Sequence, residues 1–257
     1  MEFPPESILR LSRVLYEQSI SNVRLVCGDA RYLSRELFQN QSFDHVLMQF
    51  PMPWPKDRHA KHRIMSPRFV ETLADILKVG GRFELVSDQE WYAREGYQMF
   101  ARSPYFDTDI FEVNPHREFL TRYEKKWKLE NRNTYRFCVT LLQNKKSSRI
   151  FLDKKMKKYS LKDIPASESI DSLVSQRFND GKSSCEIKEI LSREGIYLLR
   201  MVAADDNFSQ FFNIRLRERR DSTWVMAIDD SPFPYYTKAV RFALEAVYDS
   251  LTKLLDR

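Results

Sequence analysis

Apolar and polar residues along the first 100 positions follow two periods, one helical and one extended. Residues 8–18 carry apolar side chains three and four positions apart, as the buried face of a helix does. Residues 43–50 hold the apolar run 46–48 between two phenylalanines and stop at Pro51, and we interpret them as a strand buried on both faces. Ser66 and Pro67 then open a helical stripe, because serine favours the N-cap and proline the first helical position. This part predicts helices at 8–18, 66–79 (stopped by Gly80-Gly81) and 90–100, and strands at 23–27, 43–50 and 83–87.

Buried strands that alternate with amphipathic helices predict parallel β–α–β units and an α/β fold class. The carboxyl ends of parallel strands meet at one edge of the sheet, where ligands bind. Three loops are expected at that edge, at residues 28–30, 51–63 and 87–88. Two further strands, at 121–127 and 134–143, are predicted to complete the sheet as an antiparallel pair.

The pattern changes after a lysine-rich passage at residues 144–162, which is the predicted domain boundary. Closely spaced strands with turn residues between them, followed by one amphipathic helix, predict a small α+β module. We therefore divide the chain into domains at 1–146 and 160–257. The predicted strands of the second domain are 184–191, 196–203, 208–216 and 223–228, and its helix is 235–254, with a turn at 205–207.

The positive charge is concentrated in the first part of the chain. The formal net charge is +6 over 257 residues, yet residues 117–158 hold 14 Lys/Arg against 4 Asp/Glu. Residues 56–68 hold 5 Lys/Arg against one acid, whereas residues 150–257 are nearly balanced, with 18 against 17. Two basic clusters favour a partner that bears phosphates.

Other classes of protein are disfavoured by the remaining composition. No apolar run is long enough to span a membrane, and the first residues do not resemble a signal peptide. Three cysteines without CxxC spacing are expected to be reduced core thiols, and no metal set is expected, because His59 and His62 are flanked by cations. We therefore expect a cytoplasmic protein without metal; the oligomeric state, monomer or homodimer, stays open.

The loop at residues 50–63, FPMPWPKDRHAKHR, carries the most specific chemistry in the sequence. Its prolines hold an extended segment at a strand exit, Trp54 offers a stacking plane, and the following cations offer phosphate contacts. Asp29 follows another predicted strand and can accept hydrogen bonds from an adenine amino group or a ribose. A Gly-Asp turn with a merely structural aspartate is an equal alternative there. Asp88 and the TRYE segment at 121–124 share the same predicted crevice.

These segments resemble ordered motifs of the bacterial tRNA (guanine-N7-)-methyltransferase family. NVRLVCGDA, FPMPWPKDRHAKHR, LKVGGRFELVSD and TRYE occur here in the family's order, across residues 2–143. The family pattern is a strand ending in DA, then FPDPWPKxRHxKRR, then LKPGGxxxxxTD, then TKFE. The resemblance implies a Rossmann-like class I methyltransferase fold, S-adenosylmethionine as cofactor, and methylation of guanine N7 at position 46 in the tRNA variable loop.

The resemblance also implies roles for individual residues. It assigns cofactor binding to Glu2, Asp29 and Ala30. It assigns substrate binding to Lys56, Asp88, Thr121, Arg122, Tyr123 and Glu124. It assigns Arg58, His59, Lys61 and Arg63 to the basic run that faces tRNA, and Trp54 is a further candidate RNA contact because of its stacking plane. Met52 occupies the position of the family's catalytic aspartate.

Two departures from the family pattern shape the hypotheses. No segment of the sequence matches the Gly-rich turn that holds the methionine end of the cofactor, and we interpret this as an N-terminal truncation. Met52 replaces an acid, and a thioether accepts hydrogen bonds only weakly. A catalytically silent tRNA-binding protein on the same fold is therefore the alternative function. A small-molecule methyltransferase is a weaker third interpretation, because the tryptophan-proline-cation loop argues against it.

Residues 150–257 match nothing in the compact members of the family. Within the predicted strand at 208–219, Phe212, Ile214 and Leu216 alternate with polar and basic residues, among them Arg215 and Arg217. One face of that strand is therefore predicted to be buried and the other basic. The basic face is either simply solvated or an extension of the tRNA-binding surface.

Overall fold

The chain folds as two compact units, residues 1–149 and 150–257, each with its own hydrophobic core. The structure is a computed structural model that describes residues 1–152, 155–205 and 208–256. The assignment of a methyltransferase domain to residues 1–146 and an accessory domain to 160–257 stays a prediction.

The first unit is a mixed sheet with helices. Its four strands run in the order β1-β2-β4-β3, with β1 parallel to β2 and the other two pairs antiparallel. This arrangement confirms the predicted α/β fold class. The elements are α1 (Pro5–Glu17), α2 (Ala30–Leu37), β1 (Phe43–Gln49), a 3-10 helix (Asp57–His62), α3 (Pro67–Ile76), β2 (Leu77–Ser87), α4 (Glu90–Ala101), β3 (Phe106–Val113), α5 (Arg122–Leu129) and β4 (Tyr135–Leu141).

Helix α3 makes the crossover between the two parallel strands. Ser66 caps it by accepting a hydrogen bond from the backbone N–H of Phe69 at 3.3 Å, and Pro67 is its first residue. Leu73 and Ala74 on its inner face are fully buried in the core of this unit. The crossover puts the carboxyl ends of β1 and β2 at the same edge, as predicted.

Two of the predicted elements of this unit are wrong, and one strand was not predicted. The segment predicted as a strand at 121–127 is helix α5, because Thr121 and Glu124 form a capping box that favours a helix start. The sheet is completed instead by β3, which alternates apolar and acidic residues and was not predicted. The strand predicted at 23–27 is reduced to one parallel bridge between Glu2 and Cys27.

Two smaller corrections concern glycines and a cysteine. Gly80 and Gly81 do not end α3, because α3 ends at Ile76 and both glycines lie within β2. A Cβ on Gly81 would lie 2.8 Å from the carbonyl oxygen of Lys78, so this close approach needs a glycine. Cys27 is exposed rather than part of the core, whereas Cys138 and Cys185 are buried as predicted.

The second unit is an antiparallel sheet backed by a helix. Its elements are β5 (Tyr159–Leu161), α6 (Ser167–Asp171), β6 (Arg177–Asn179), β7 (Ser183–Arg193), β8 (Ile196–Asp205), β9 (Phe208–Glu218), β10 (Trp224–Ile228) and α7 (Lys238–Leu255). The strand order is β5-β10-β9-β8-β7-β6. The predicted α+β class is therefore confirmed; Asp206 and Asn207 of the predicted turn lie outside the described residues.

Helix α7 and one face of this sheet share a single core. Phe212, Ile214 and Leu216 of β9 are buried with Val240 and Val247 of α7. The alternation predicted for this strand is therefore present. Within the described residues of both units, no helix is long and apolar enough to cross a membrane.

Candidate functional site

The candidate site lies where β1 and β2 end. The loop at residues 50–63 leaves β1 and Asp88 follows β2, and parallel pairing brings both to one edge of the sheet. β4 begins at this edge, because Tyr135 pairs with Ser87 of β2, and β3 ends there, because Val113 pairs with Tyr135. The edge is therefore built by four segments that are distant in sequence.

The loop that leaves β1 is held by its own backbone and by α4. The N–H of Phe50 donates to the carbonyl oxygen of Val86 at 2.7 Å, so the loop starts as a continuation of the sheet. Phe50 and Trp54 both adopt positive φ, at 49° and 48°, a conformation that non-glycine residues keep only when their surroundings enforce it. At the far end, the N–H of Met65 donates to the hydroxyl of Tyr92.

Arg63 is the residue that closes this loop. Its Nε donates to the carbonyl oxygen of Trp54 at 3.1 Å, and its guanidinium lies over the ring of Trp91, 5.0 Å from the centroid. Glu95 lies 3.7 Å away on α4, and only 13% of the Arg63 side chain is exposed. The structure therefore turns Arg63 toward α4, unlike the other predicted RNA-facing cations, and we leave it out of the proposed RNA surface.

The remaining cations of the loop are exposed. Lys56, Arg58 and Lys61 project from the 3-10 helix and the turn before it, and none forms an ion pair within the described part of the chain. Trp54 and His59, which were also predicted to face RNA, are half-buried. The ring of Trp54 packs against the rings of His59 and His62, at centroid distances of 5.6 and 5.2 Å. The tryptophan therefore packs within the loop, while the three cations stay available.

Asp88 is held in place by two neighbours. Its Oδ2 accepts a hydrogen bond from the side chain of Gln89 at 2.8 Å and lies 3.5 Å from a guanidinium nitrogen of Arg132. The same guanidinium lies over the ring of Trp127, which in turn contacts Phe50 at 4.9 Å between centroids. These contacts connect the end of β2, the start of the loop and helix α5.

The TRYE segment separates into buried and exposed side chains. Glu124 is buried, accepts from the backbone N–H of Thr121 at 2.7 Å and pairs with Arg117. Tyr123 is exposed and lies beside Trp127. Thr121 and Glu124 therefore build the start of α5, and Tyr123 is the described side chain that points outward. The side chain of Arg122 lies outside the described residues.

A cavity of about 470 Å³ opens beside this segment. Arg132, which contacts Asp88, is part of its wall. The other lining residues are Asn114, Pro115, Leu120, Glu124, Lys128, Asn131, Asn133 and Thr134. This cavity was not predicted, because its walls come from three segments that are brought together where β3 pairs with β4.

The residues predicted to bind the cofactor lie together at the turn before α2, at a second place in the first unit. The N–H of Gly28 donates to the carbonyl oxygen of Glu2 at 2.9 Å, so Glu2 lies beside the turn that leads to Asp29. Asp29 caps α2 through the N–H of Arg31, and its two carboxylate oxygens also accept from the guanidinium of Arg31. Ala30 is the first residue of α2.

The carboxylates of Glu2 and Asp29 fit the adenosine half of S-adenosylmethionine. Carboxylates accept hydrogen bonds from ribose hydroxyls and from an adenine amino group, and Glu2 is exposed. Arg31 connects this place to the loop, because it also donates to the carbonyl oxygen of Lys61 at 2.7 Å. Both interpretations of Asp29 therefore stay open: the structural one is satisfied by the N-cap and Arg31, and the carboxylate remains partly exposed.

Met52 lies on the outer side of the loop. It is 65% exposed, between two prolines that leave its thioether facing solvent. No group of three or more His, Cys, Asp and Glu side chains that could hold a metal ion occurs in the described residues.

Comparison with known proteins agrees with the motifs. The family model described as "Putative methyltransferase" matches residues 1–137. The tRNA (guanine-N(7)-)-methyltransferase of Thermotoga maritima is 34% identical over 248 residues, which cover 96% of this chain and 79% of that protein. The chain belongs to the tRNA (guanine-N7-)-methyltransferase family. The protein of the same name from Thermus thermophilus is 26% identical, over 97% of this chain and 79% of that protein.

Both of these family members match the second unit as well as the first, since 96–97% of the chain is covered. Residues 150–257 are therefore shared with these two relatives. Among solved structures, an rRNA methylase from Streptococcus thermophilus is similar over 55% of this chain and 70% of that chain, with a TM-score of 0.35 and 18% identity. The family predicted from the motifs is confirmed.

Proposed function

We propose that this chain transfers a methyl group from S-adenosylmethionine to N7 of a guanine in tRNA, and that the guanine is the one at position 46 in the variable loop. The observation that carries the proposal is the meeting of two features at one sheet edge. The loop with exposed Lys56, Arg58 and Lys61 and the oriented carboxylate of Asp88 lie at the ends of adjacent parallel strands. A phosphate-binding surface beside a polar base-binding crevice is what an RNA-modifying site requires.

The reaction needs no general base. Guanine N7 presents an in-plane lone pair and carries no hydrogen, and the cofactor, when bound, supplies the electrophilic methyl group. The task of the protein is therefore alignment of the base and retention of the RNA. In this proposal Asp88 accepts hydrogen bonds from the N1–H and amino groups of guanine, and the contact with Arg132 orients its carboxylate.

The loop cations hold the RNA backbone. Lys56, Arg58 and Lys61 are displayed on a loop that Arg63 and Tyr92 fasten to α4, so the cations are held in place before RNA arrives. Such preorganisation lowers the entropic cost of binding. Tyr123, exposed beside Trp127, is positioned to contact a base or a ribose at the same edge.

Met52 favours a second candidate, a tRNA-binding protein that transfers no methyl group. The residue lies 65% exposed on the loop and offers only a weak acceptor where the family has an acid. The two candidates share the RNA surface and differ only in turnover.

The deciding experiment is methyl transfer from radiolabelled S-adenosylmethionine to unmodified tRNA, with the modified nucleotide mapped by mass spectrometry. We expect N7-methylguanosine at position 46, abolished by replacing that guanosine with adenosine. Salt-sensitive tRNA binding without any methyl transfer would select the binding protein. Methylation of another position would refute the variable-loop assignment and leave the reaction intact.

The variant Met52→Asp tests the role of this position. We expect it to raise methylation, because a carboxylate accepts hydrogen bonds that a thioether cannot. Met52→Leu is the matched control, since it keeps size and apolar character. If both variants and the native chain turn over equally, position 52 has no part in this protein's catalysis.

A further inference from the structure

The cavity beside α5 is formed by a helix end whose geometry is tightly fixed. The N–H of Arg132 donates to the carbonyl oxygen of Trp127 at 2.9 Å, and that of Asn131 donates to the carbonyl oxygen of Lys128 at 3.3 Å. Asn131 has a φ of 53°, so the helix ends in a Schellman motif with asparagine in the left-handed position. This motif sets Arg132 between Asp88 and the cavity.

The opposite wall is fixed by the junction of β3 and β4. The side chain of Asn114 donates to the side-chain oxygen of Asn133 at 2.8 Å and accepts from the N–H of Thr134 at 3.0 Å. The amide nitrogen of Asn133 has no hydrogen-bond partner within the described part of the chain. It is a free donor at the rim of the cavity.

The charges that reach the cavity are mainly positive. Lys128 is exposed and has no acidic partner among the described residues, and the side chain of Arg132 is 48% exposed beyond its contact with Asp88. The one acid in the wall, Glu124, is already neutralised by Arg117. An anion at the rim therefore meets two cations and no free carboxylate.

We infer that this cavity receives the nucleotide next to the guanosine that is methylated, with its phosphate on Lys128 and Arg132 and its base edge on the amide of Asn133. The inference rests on the proposed function, since it places the second nucleotide relative to Asp88. A volume of about 470 Å³ lies within the range of roughly 300–1,000 Å³ of pockets that hold small ligands. Because Arg132 contacts both Asp88 and the cavity, the two subsites are adjacent.

The test compares Lys128→Gln with Arg102→Gln in the full chain. Both replace one exposed cation of the first unit, but Arg102 follows α4 at the opposite edge of the sheet. We expect Lys128→Gln to weaken tRNA binding about three- to tenfold at low salt and to flatten the slope of log K against log salt by about one. The KM for tRNA should rise in proportion, with kcat and the affinity for S-adenosylmethionine unchanged.

Asn133→Ala separates the base contact from the phosphate contact. It removes a neutral donor, so the affinity for tRNA should fall while the salt slope stays as in the native chain. The inference is overturned if Lys128→Gln and Arg102→Gln have the same affinity and slope. A native chain that binds tRNA but transfers no methyl refutes the proposed function alone, because the binding comparison still decides whether the cavity holds RNA.

Discussion

The exposed loop cations of the first unit and the cations at the centre of the second unit's sheet differ in whether an acid accompanies them. In the loop of the first unit, Lys56, Arg58 and Lys61 have no ion-pair partner within the described residues. On the open face of the second unit's sheet, Arg200 pairs with Glu189 and Arg215 pairs with Asp229 at 2.8 Å.

Lys188 also has an acidic partner, because its Nζ lies 2.7 Å from a carboxylate oxygen of Glu186. Lys188, Arg200 and Arg215 are thus matched across or along strands by carboxylates, which stabilises the sheet and weakens its positive field, whereas Arg217 on β9 has no ion pair among the described residues. Basic residues that alternate along one strand therefore do not by themselves indicate RNA binding, because acids on neighbouring strands can pair with them. The phosphate-binding surface is expected where cations lack such partners.

The largest effect is expected from replacing Arg63, the loop cation whose side chain contacts Trp54 and Trp91. Arg63→Ala removes the hydrogen bond to Trp54 and the contact with Trp91, so it should lower the free energy of unfolding by about 2 kcal/mol. Chemical denaturation measures this. Arg58→Ala, on the exposed side of the same loop, is the control and should change stability by less than about 0.5 kcal/mol. Equal effects of the two variants would mean that Arg63 does not fasten the loop.

A smaller effect is expected from the second fastening of the loop. Tyr92→Phe leaves the N–H of Met65 without its acceptor and should cost about 1 kcal/mol. Tyr16→Phe, at a tyrosine that is 87% exposed on α1, is the control and should be neutral.

The same tyrosine predicts a pH dependence. Burial raises the pKa of Tyr92 from 10.0 to about 12. Folding therefore favours its protonated form, so its contribution to stability is complete below pH 10 and is lost as the pH rises toward 12. Burial also raises the pKa of Tyr32 and Tyr159, so denaturation at pH 9, 10 and 11 should show a steeper decline in the native chain than in Tyr92→Phe. An identical decline in both chains would exclude Tyr92 as its source.

The smallest effect is expected when paired cations of the second unit lose their acidic partners. The double variant Glu189→Gln, Asp229→Asn frees Arg200 and Arg215 and should strengthen tRNA binding two- to fivefold at low salt. Glu245→Gln, Asp249→Asn on the exposed side of α7 gives the same change in net charge and is the control. An equal gain in both would mean that net charge, not the freed pairs, attracts the RNA.

Sequence patterns predicted most of the fold because its elements follow local rules. Ser66 and Pro67 at the start of α3 and the alternating strand β9 are of this kind. The errors arose where one local rule outweighed another. TRYE was predicted as the start of a strand, but its threonine and glutamate form a capping box, which favours a helix.

The candidate site was predictable only as a set of residue types. The motifs brought Asp88 and the loop to one sheet edge, since that follows from parallel strands. They could not separate Arg63 from Arg58, because the partners of Arg63 lie about 30 residues later on α4. Arg132 and Asn133 escaped notice for the same reason, as their significance depends on contacts with Asp88 and Asn114.

The salt dependence of tRNA binding tests the central claim, that unpaired loop cations carry the RNA contact and paired sheet cations do not. Lys56→Gln, Arg58→Gln, Lys61→Gln in one chain and Lys188→Gln, Arg200→Gln, Arg215→Gln in another remove three positive charges each. We expect the slope of log K against log salt to flatten by about two to three in the first chain and by less than about 0.5 in the second. Equal flattening, or a larger effect in the second chain, would contradict the account.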